Sequence, residues 1–198
     1  MAESLLAVTN PANPGPLGLA GFGLTTCVLS AINAGLLPHE AVPAVVPLAF
    51  AYGGVAQLIA GVLEYRNGNT FGMVAFTSYG LFWWWFALLN WTVGAGWLHS
   101  PPASGVAVVL MMWGVLTLLL WVVTFRTSKA VWSIFLLLWI TFFLLAAGDL
   151  GYGTGKLGGY LGLLTGIDAL AVAFIEVLNA TAGRTVISLG VPFIRDRA

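Results

Sequence analysis

Polar side chains recur inside the long apolar stretches of this sequence, and nearly all of them are neutral. Hydroxyl and amide groups predominate, and no Lys or Arg lies deep within a stretch. Such groups can hydrogen bond a small carboxylate or a neutral polar solute without placing a permanent charge in a low-dielectric interior. The pattern therefore favours passage of a small solute over binding of a large or multiply charged one.

Asp168 differs from these neutral groups because it is a carboxylate within an apolar stretch. Burying a charge in a membrane is costly, so such a residue indicates a function or a buried partner. We interpret Asp168 as a proton-linked or selectivity group. Glu64 and Glu176 lie nearer the ends of their stretches, and we expect them to pair with Arg66 or Arg184.

Enzyme chemistry finds no support in the sequence. The two histidines, His39 and His99, lie between apolar stretches, so no intramembrane Ser–His pair and no HExxH zinc site can be drawn. The glycine spacing over residues 18–23 resembles GxGxxG, but no strand precedes it. We predict no enzyme activity, no cofactor and no metal site.

The composition places the chain in a lipid bilayer. Of its 198 residues, 60% are hydrophobic and 7% are charged, whereas soluble domains contain about 25% charged residues. The net charge is zero, so nothing suggests a nucleic-acid partner, and the single Cys27 excludes an internal disulfide. The sequence predicts an integral membrane protein.

The apolar stretches predict an all-α protein with six transmembrane helices. A membrane helix needs about 20 apolar residues. The predicted spans are residues 17–36, 43–63, 71–93, 105–125, 131–147 and 158–179. They form one helical domain over residues 17–180, between an N-terminal cytoplasmic or interfacial segment (1–16) and a cytoplasmic C-terminal tail (181–198).

The positive charges orient these spans. Six cations fall on the side that holds both termini, and Lys156 alone falls on the other. The six are Arg66, Arg126, Lys129, Arg184, Arg195 and Arg197. Loops rich in Lys and Arg stay in the cytoplasm, so we predict a multi-pass protein with both termini cytoplasmic.

Two further patterns concern packing. Glycines at 18, 21, 23, 53, 54 and 61 are interpreted as notches that let helices approach closely. The aromatic run at residues 82–85 is expected to face lipid or another subunit, because four consecutive bulky residues cannot all face one narrow pore.

Several motifs resemble one known family. NPGPLGL at residues 13–19 resembles the NPAPLGL signature of the acetate uptake transporter family, also called succinate–acetate permeases, with Gly15 in place of the usual alanine. Further matches occur in order along the chain: GFGLTT (21–26), YGGVAQ (52–57), GVLEYRNGNTFG (61–72), AFTSYGLFW (75–83), WGVLTL (113–118) and EVLNATAGRT (176–185).

This resemblance implies a six-helix protomer that encloses its own pore and assembles as a homo-hexamer in the plasma (inner) membrane. It implies transport of acetate and, in some members, succinate, by proton coupling or in a channel-like way. The family's hydrophobic constriction falls here on Phe22, Tyr79 and Leu138. Asp168 stands where the family pattern has a small neutral residue, and Asp149 where it tends toward asparagine.

Hydrogen-bonding groups are predicted to lie along such a pore. They are Asn13, Thr25, Gln57, Ser78 and Thr117. Asn13 is further expected to cap the first helix, predicted to begin near Leu17, so that its free N–H groups face an acidic solute. A purely structural turn at the interface is an alternative.

Two other functions remain open from the sequence. A channel for neutral solutes such as urea or short amides would use a similar pore. A membrane sensor would use the outer loops that carry the histidines, although the predicted soluble termini are short.

Overall fold

Six helices form the protein in a computed structural model that describes residues 12–195. They are α1 (Gly15–Asn33), α2 (His39–Arg66), α3 (Thr70–Gly94), α4 (Ala103–Arg126), α5 (Lys129–Tyr152) and α6 (Gly155–Ala182). Each is long and apolar enough to cross a membrane, and no strand occurs within residues 12–195. The predicted all-α architecture with six membrane helices is confirmed.

The predicted domain boundaries fall close to these helix ends. α1 begins at Gly15 and α6 ends at Ala182, each within two residues of the predicted limits 17 and 180. Residues 1–11 and 196–198, including Arg197, lie outside the described residues. The cytoplasmic location of both terminal segments stays a prediction.

α2 changes its winding along its length. It begins with a tight turn at His39–Ala41, is α-helical over Val42–Leu48, widens to π-helical winding over Ala49–Ala56, and is α-helical again over Gln57–Arg66. π-helical turns interrupt α-helices mostly at functional sites. Here the wider segment precedes Gln57, whose side chain is fully buried.

Close glycine contacts hold α1 against its neighbours. A Cβ on Gly21 would lie 2.6 Å from the carbonyl oxygen of Tyr52 in α2, and one on Gly23 would lie 2.8 Å from the carbonyl oxygen of Gly166 in α6. Each of the other predicted notch glycines also lies against a neighbouring helix; they are Gly18, Gly53, Gly54 and Gly61. Small residues let helices approach closely where no hydrophobic effect drives them together, and the predicted notches are confirmed.

The aromatic run of α3 is divided between two environments, which corrects the prediction that it faces outward. Phe82 and Trp83 are 7% and 2% exposed and belong to the core, whereas Trp84 and Trp85 are half-buried. Trp84 stacks on Phe50 of α2 with ring centroids 5.2 Å apart. Because consecutive helical residues point about 100° apart, two of the four necessarily turn toward the interior.

The chain after α6 folds back over the loop between α4 and α5. The side-chain Oδ1 of Asn179 accepts from the backbone N–H groups of Val186 and Ile187, and the Ala130 N–H donates to the Leu189 carbonyl. Phe193 then packs on Trp132 with ring centroids 5.1 Å apart. This segment covers the loop on the side of the bundle where α6 ends.

Candidate solute pathway

A cavity of about 310 Å³ enters the bundle from the side where α1 begins and α6 ends; we call it the vestibule. Its rim includes Asn13, Asn69 and Ser128, and its walls come from α1, α2, α3, α5 and α6. Its inner end is formed by Phe22, Tyr79 and Leu138, beside Leu19, Phe135 and Gln57.

A second, smaller cavity of about 40 Å³ lies farther along the same helices; we call it the far chamber. It is lined by side chains of α1, α3 and α5, among them Thr26, Ser30, Phe82, Trp83 and Thr141. Phe22 and Leu138 line this chamber as well as the vestibule. The two cavities therefore meet across these two side chains.

The structure brings together the three predicted constriction residues, which we call the neck. Phe22, Tyr79 and Leu138 come from α1, α3 and α5 and are 6%, 3% and 4% exposed. The ring centroids of Phe22 and Tyr79 are 5.8 Å apart. A narrow apolar segment between two cavities can exclude water and so oppose the passage of charge.

Thr117 orients the Tyr79 ring from outside the cavities. The Tyr79 hydroxyl donates to Thr117 Oγ1 at 2.9 Å, and Thr117 Oγ1 donates to the Trp113 carbonyl at 2.7 Å. Both side chains are buried. Because the phenol is satisfied on the α4 side, Tyr79 presents its ring to the neck.

We expect Thr117→Val to destabilise the protein and to disturb the neck. The substitution leaves the Tyr79 hydroxyl buried without its acceptor, which costs about 1–3 kcal/mol. A matched control is Thr165→Val, because Thr165 is equally buried and its hydroxyl donates only to the Leu161 carbonyl of its own helix. Thermal unfolding in detergent should show a larger loss for Thr117→Val, and equal losses for the two variants would contradict this role.

Buried polar groups without a protein partner lie on both sides of the neck. Gln57, fully buried in α2, lines the vestibule, and neither its Nε2 nor its Oε1 has a hydrogen-bond partner. In the far chamber the same holds for Thr26 Oγ1 and Trp83 Nε1. Unsatisfied buried polar groups are costly, so these three side chains are suited to hydrogen bond a passing solute.

Thr26 and Trp83 were missed by sequence reasoning. Thr26 has the same hydroxyl as its neighbour Thr25, and Trp83 carries no signal that distinguishes it from Trp84 or Trp85. The rotation of each helix about its axis decides which of these neighbouring side chains lines the far chamber.

Two of the five predicted pore-lining residues line a cavity, and three do not. Asn13 and Gln57 line the vestibule. Thr25, Ser78 and Thr117 line neither cavity. The Thr25 hydroxyl donates to the Gly21 carbonyl at 2.8 Å, and Ser78 is half-buried. Thr117 contacts the neck only through its hydrogen bond with Tyr79. Direct contact between a solute and these three stays a prediction.

Asn13 lies at the start of α1, which begins at Gly15, two residues earlier than predicted. Its Oδ1 accepts from the Gly15 N–H at 2.9 Å, and its Nδ2 donates to Glu176 Oε2 at 3.1 Å. Asn13 thus satisfies one free N–H of the helix and binds α1 to α6.

The carboxylates of Glu64 and Glu176 face the vestibule, which corrects the expected arginine pairs. Glu64 accepts from Asn69 Nδ2 at 2.9 Å and Glu176 accepts from Asn13 Nδ2. Arg66 is exposed, two residues beyond Glu64. Residues two apart on a helix do not share a face, so the Arg66 side chain points elsewhere.

The Asp168 carboxylate is hydrogen bonded to a serine of the neighbouring helix, and Asp168 lines neither cavity. Ser133 Oγ donates to Asp168 Oδ2 at 2.7 Å, which joins α5 to α6. Its proton-linked role stays a prediction, which an unaltered pH dependence of uptake in Asp168→Asn would reject.

This chain is similar to several known proteins. Residues 4–190 match the GPR1/FUN34/yaaH family. The succinate-acetate/proton symporter SatP of Escherichia coli is 39% identical over 184 residues, covering 92% of this chain and 97% of the relative. Acetate permease A of Emericella nidulans is 38% identical over 189 residues, covering 87% of this chain and 61% of the relative.

One solved structure has the same fold. It is described as the structure of the bacterial acetate channel SatP, with a TM-score of 0.87 and 39% sequence identity. The match covers 91% of this chain and 99% of that chain.

Proposed function

Because this chain belongs to the GPR1/FUN34/yaaH family, we propose that it carries acetate and similarly small monocarboxylates across the membrane through the neck of Phe22, Tyr79 and Leu138. Its named relatives are a succinate-acetate/proton symporter, an acetate permease and an acetate channel. The observation that carries the proposed route is that two cavities meet at Phe22 and Leu138, where buried apolar side chains separate them.

The neck selects for small size and low charge. Moving an ionised carboxylate into an apolar environment is strongly unfavourable, whereas the neutral acid loses much less hydration. A dicarboxylate such as succinate incurs this cost at both ends. Acetate accompanied by a proton therefore crosses more easily than a bare anion, and short monocarboxylates cross more easily than diacids.

Polar groups beside the neck replace part of the solute's hydration. Thr26 Oγ1 and Trp83 Nε1 offer donors in the far chamber, and the Gln57 amide offers both a donor and an acceptor in the vestibule. Several weak sites in series allow a solute both to enter and to leave.

The assembly and orientation form part of the same proposal. We propose a homo-hexamer in the plasma (inner) membrane, with both termini in the cytoplasm. The cations at the ends of α2, α4 and α6 and at the start of α5 support this orientation. Large apolar side chains on the outer faces of α4 and α6, such as Leu119 and Phe174 at 63% exposed each, can contact lipid or a neighbouring protomer.

Flux through the purified protein tests this function. Proteoliposomes should take up radiolabelled acetate faster than protein-free liposomes, which report the acid that crosses lipid unaided. Imposing a pH gradient and then collapsing it shows whether a proton accompanies acetate. Uptake of urea without uptake of acetate would overturn the proposal in favour of a neutral-solute channel, and absence of both fluxes would reject transport.

A further inference from the structure

We propose that Glu64 and Glu176 together accept the proton of the carboxylic acid after it has crossed the neck, so that the solute leaves the vestibule as an anion. This inference rests on the proposed function and identifies the groups that would link transport to protons.

The two carboxylates belong to different helices and line the same cavity. Glu64 is buried on α2 and Glu176 is half-buried on α6, and both line the vestibule. Two ionised carboxylates in one cavity repel each other. Binding a proton at either carboxylate removes that repulsion.

The groups that face this pair across the vestibule are neutral, as far as residues 12–195 show. The segment before α1 contributes Asn13, α3 contributes Tyr79, and the loops contribute Asn69, Thr127 and Ser128. The Tyr79 hydroxyl is already bonded to Thr117. Among the residues that the structure describes, no Lys, Arg or His lines the vestibule, so a bare carboxylate anion in it is repelled and a neutral acid is not.

Two glycines leave room for the carboxylates. A Cβ on Gly72 would lie 2.8 Å from Glu64 Cδ, and a Cβ on Gly15 would lie 3.1 Å from Glu176 Oε2. Gly15 stands where the family signature has alanine, so this chain has room for Glu176 and Asn13 to meet at the start of α1. Each acid also accepts from one asparagine.

Gln57 provides the site from which the acid reaches the pair. Gln57 lines the vestibule, and its fully buried amide has no protein partner. Its Cγ lies 3.5 Å from the place a Cβ on Gly21 would occupy, next to Phe22. Glu64 follows seven residues later on the same face of α2, roughly 10 Å farther from the neck.

The chemical step is a balanced proton transfer. The O–H bond of the acid breaks and an O–H bond forms on a glutamate oxygen, so that neutral acid and carboxylate become anion and protonated glutamate. The anion departs toward water because the other carboxylate repels it. The glutamate then releases its proton to water on the same side, and the cycle reverses for export.

The test compares two solutes of similar size in proteoliposomes. Acetate carries a transferable proton and acetamide does not. For the double variant Glu64→Gln/Glu176→Gln, we expect acetate uptake at neutral pH to fall by on the order of tenfold and its pH dependence to flatten, while acetamide uptake stays at the wild-type level. Glutamine can still accept from Asn69 and Asn13, so the fold is retained.

Two further variants sharpen the result. Glu40→Gln removes a carboxylate from the exposed start of α2, lines neither cavity and should behave as wild type. Glu64→Asp/Glu176→Asp keeps both charges and should keep the pH response. Should the double glutamine variant fail to fold, Glu176→Gln alone carries the test, since this side chain is only half-buried.

A wild-type pH profile in the glutamine variant would overturn the inference. A parallel loss of acetate and acetamide uptake would also overturn it, because it would show that Glu64 and Glu176 only maintain the structure of the vestibule. Failure of the proposed function is distinct, since the wild-type protein itself would then take up no acetate.

Discussion

Leu138→Ala is expected to widen the neck and to admit acids larger than acetate. Leu138 is 4% exposed and lines both the vestibule and the far chamber. Shortening it joins the two cavities and admits water, which lowers the desolvation cost for a longer or more polar acid. The ratio of succinate to acetate uptake should rise by on the order of tenfold, equivalent to about 1.4 kcal/mol of barrier.

Radiolabelled uptake in proteoliposomes measures this ratio, and Phe22→Ala should change it in the same direction. Leu110→Ala is the matched control, because Leu110 is also buried but lines neither cavity. Both leucine variants are expected to lose stability, by about 2–5 kcal/mol, whereas selectivity should change only at the neck. Unchanged acetate uptake and unchanged size selectivity in both neck variants would show that the neck is assigned wrongly.

The second large effect is expected for Gly23→Ala, which should destabilise the bundle. The added methyl group would lie 2.8 Å from the Gly166 carbonyl oxygen and 3.1 Å from the Leu170 backbone nitrogen. These are backbone atoms that cannot rotate away, so α1 and α6 must move apart. Overpacking of this kind typically costs about 1–3 kcal/mol.

The melting temperature in detergent measures this cost against Gly94→Ala. Gly94 ends α3, and a Cβ there would meet nothing within 4 Å. Alanine has the higher helix propensity by about 1 kcal/mol, so Gly94→Ala should unfold at the wild-type temperature or above it. An equal melting temperature for both variants would mean that α1 and α6 do not depend on this close contact.

Properties that depend on local composition could be predicted from the sequence. The bilayer environment and the six helices follow from apolar stretches of membrane-spanning length. Glycines such as Gly21 and Gly23 were predicted as close-packing positions because only small residues let membrane helices approach. Phe22, Tyr79 and Leu138 were predicted through motif similarity, and all three line the vestibule.

The tertiary structure alone decided which polar side chains face the cavities. Thr26 lines the far chamber while Thr25 bonds its own helix, and Trp83 lies inside while Trp84 stacks on α2. The carboxylate of Glu64 likewise faces the vestibule and not Arg66. Neighbouring residues on a helix differ in direction by about 100°, and an apolar helix carries little polarity difference that reveals its rotation. That rotation is determined by contacts with the other helices, which are distant in the sequence.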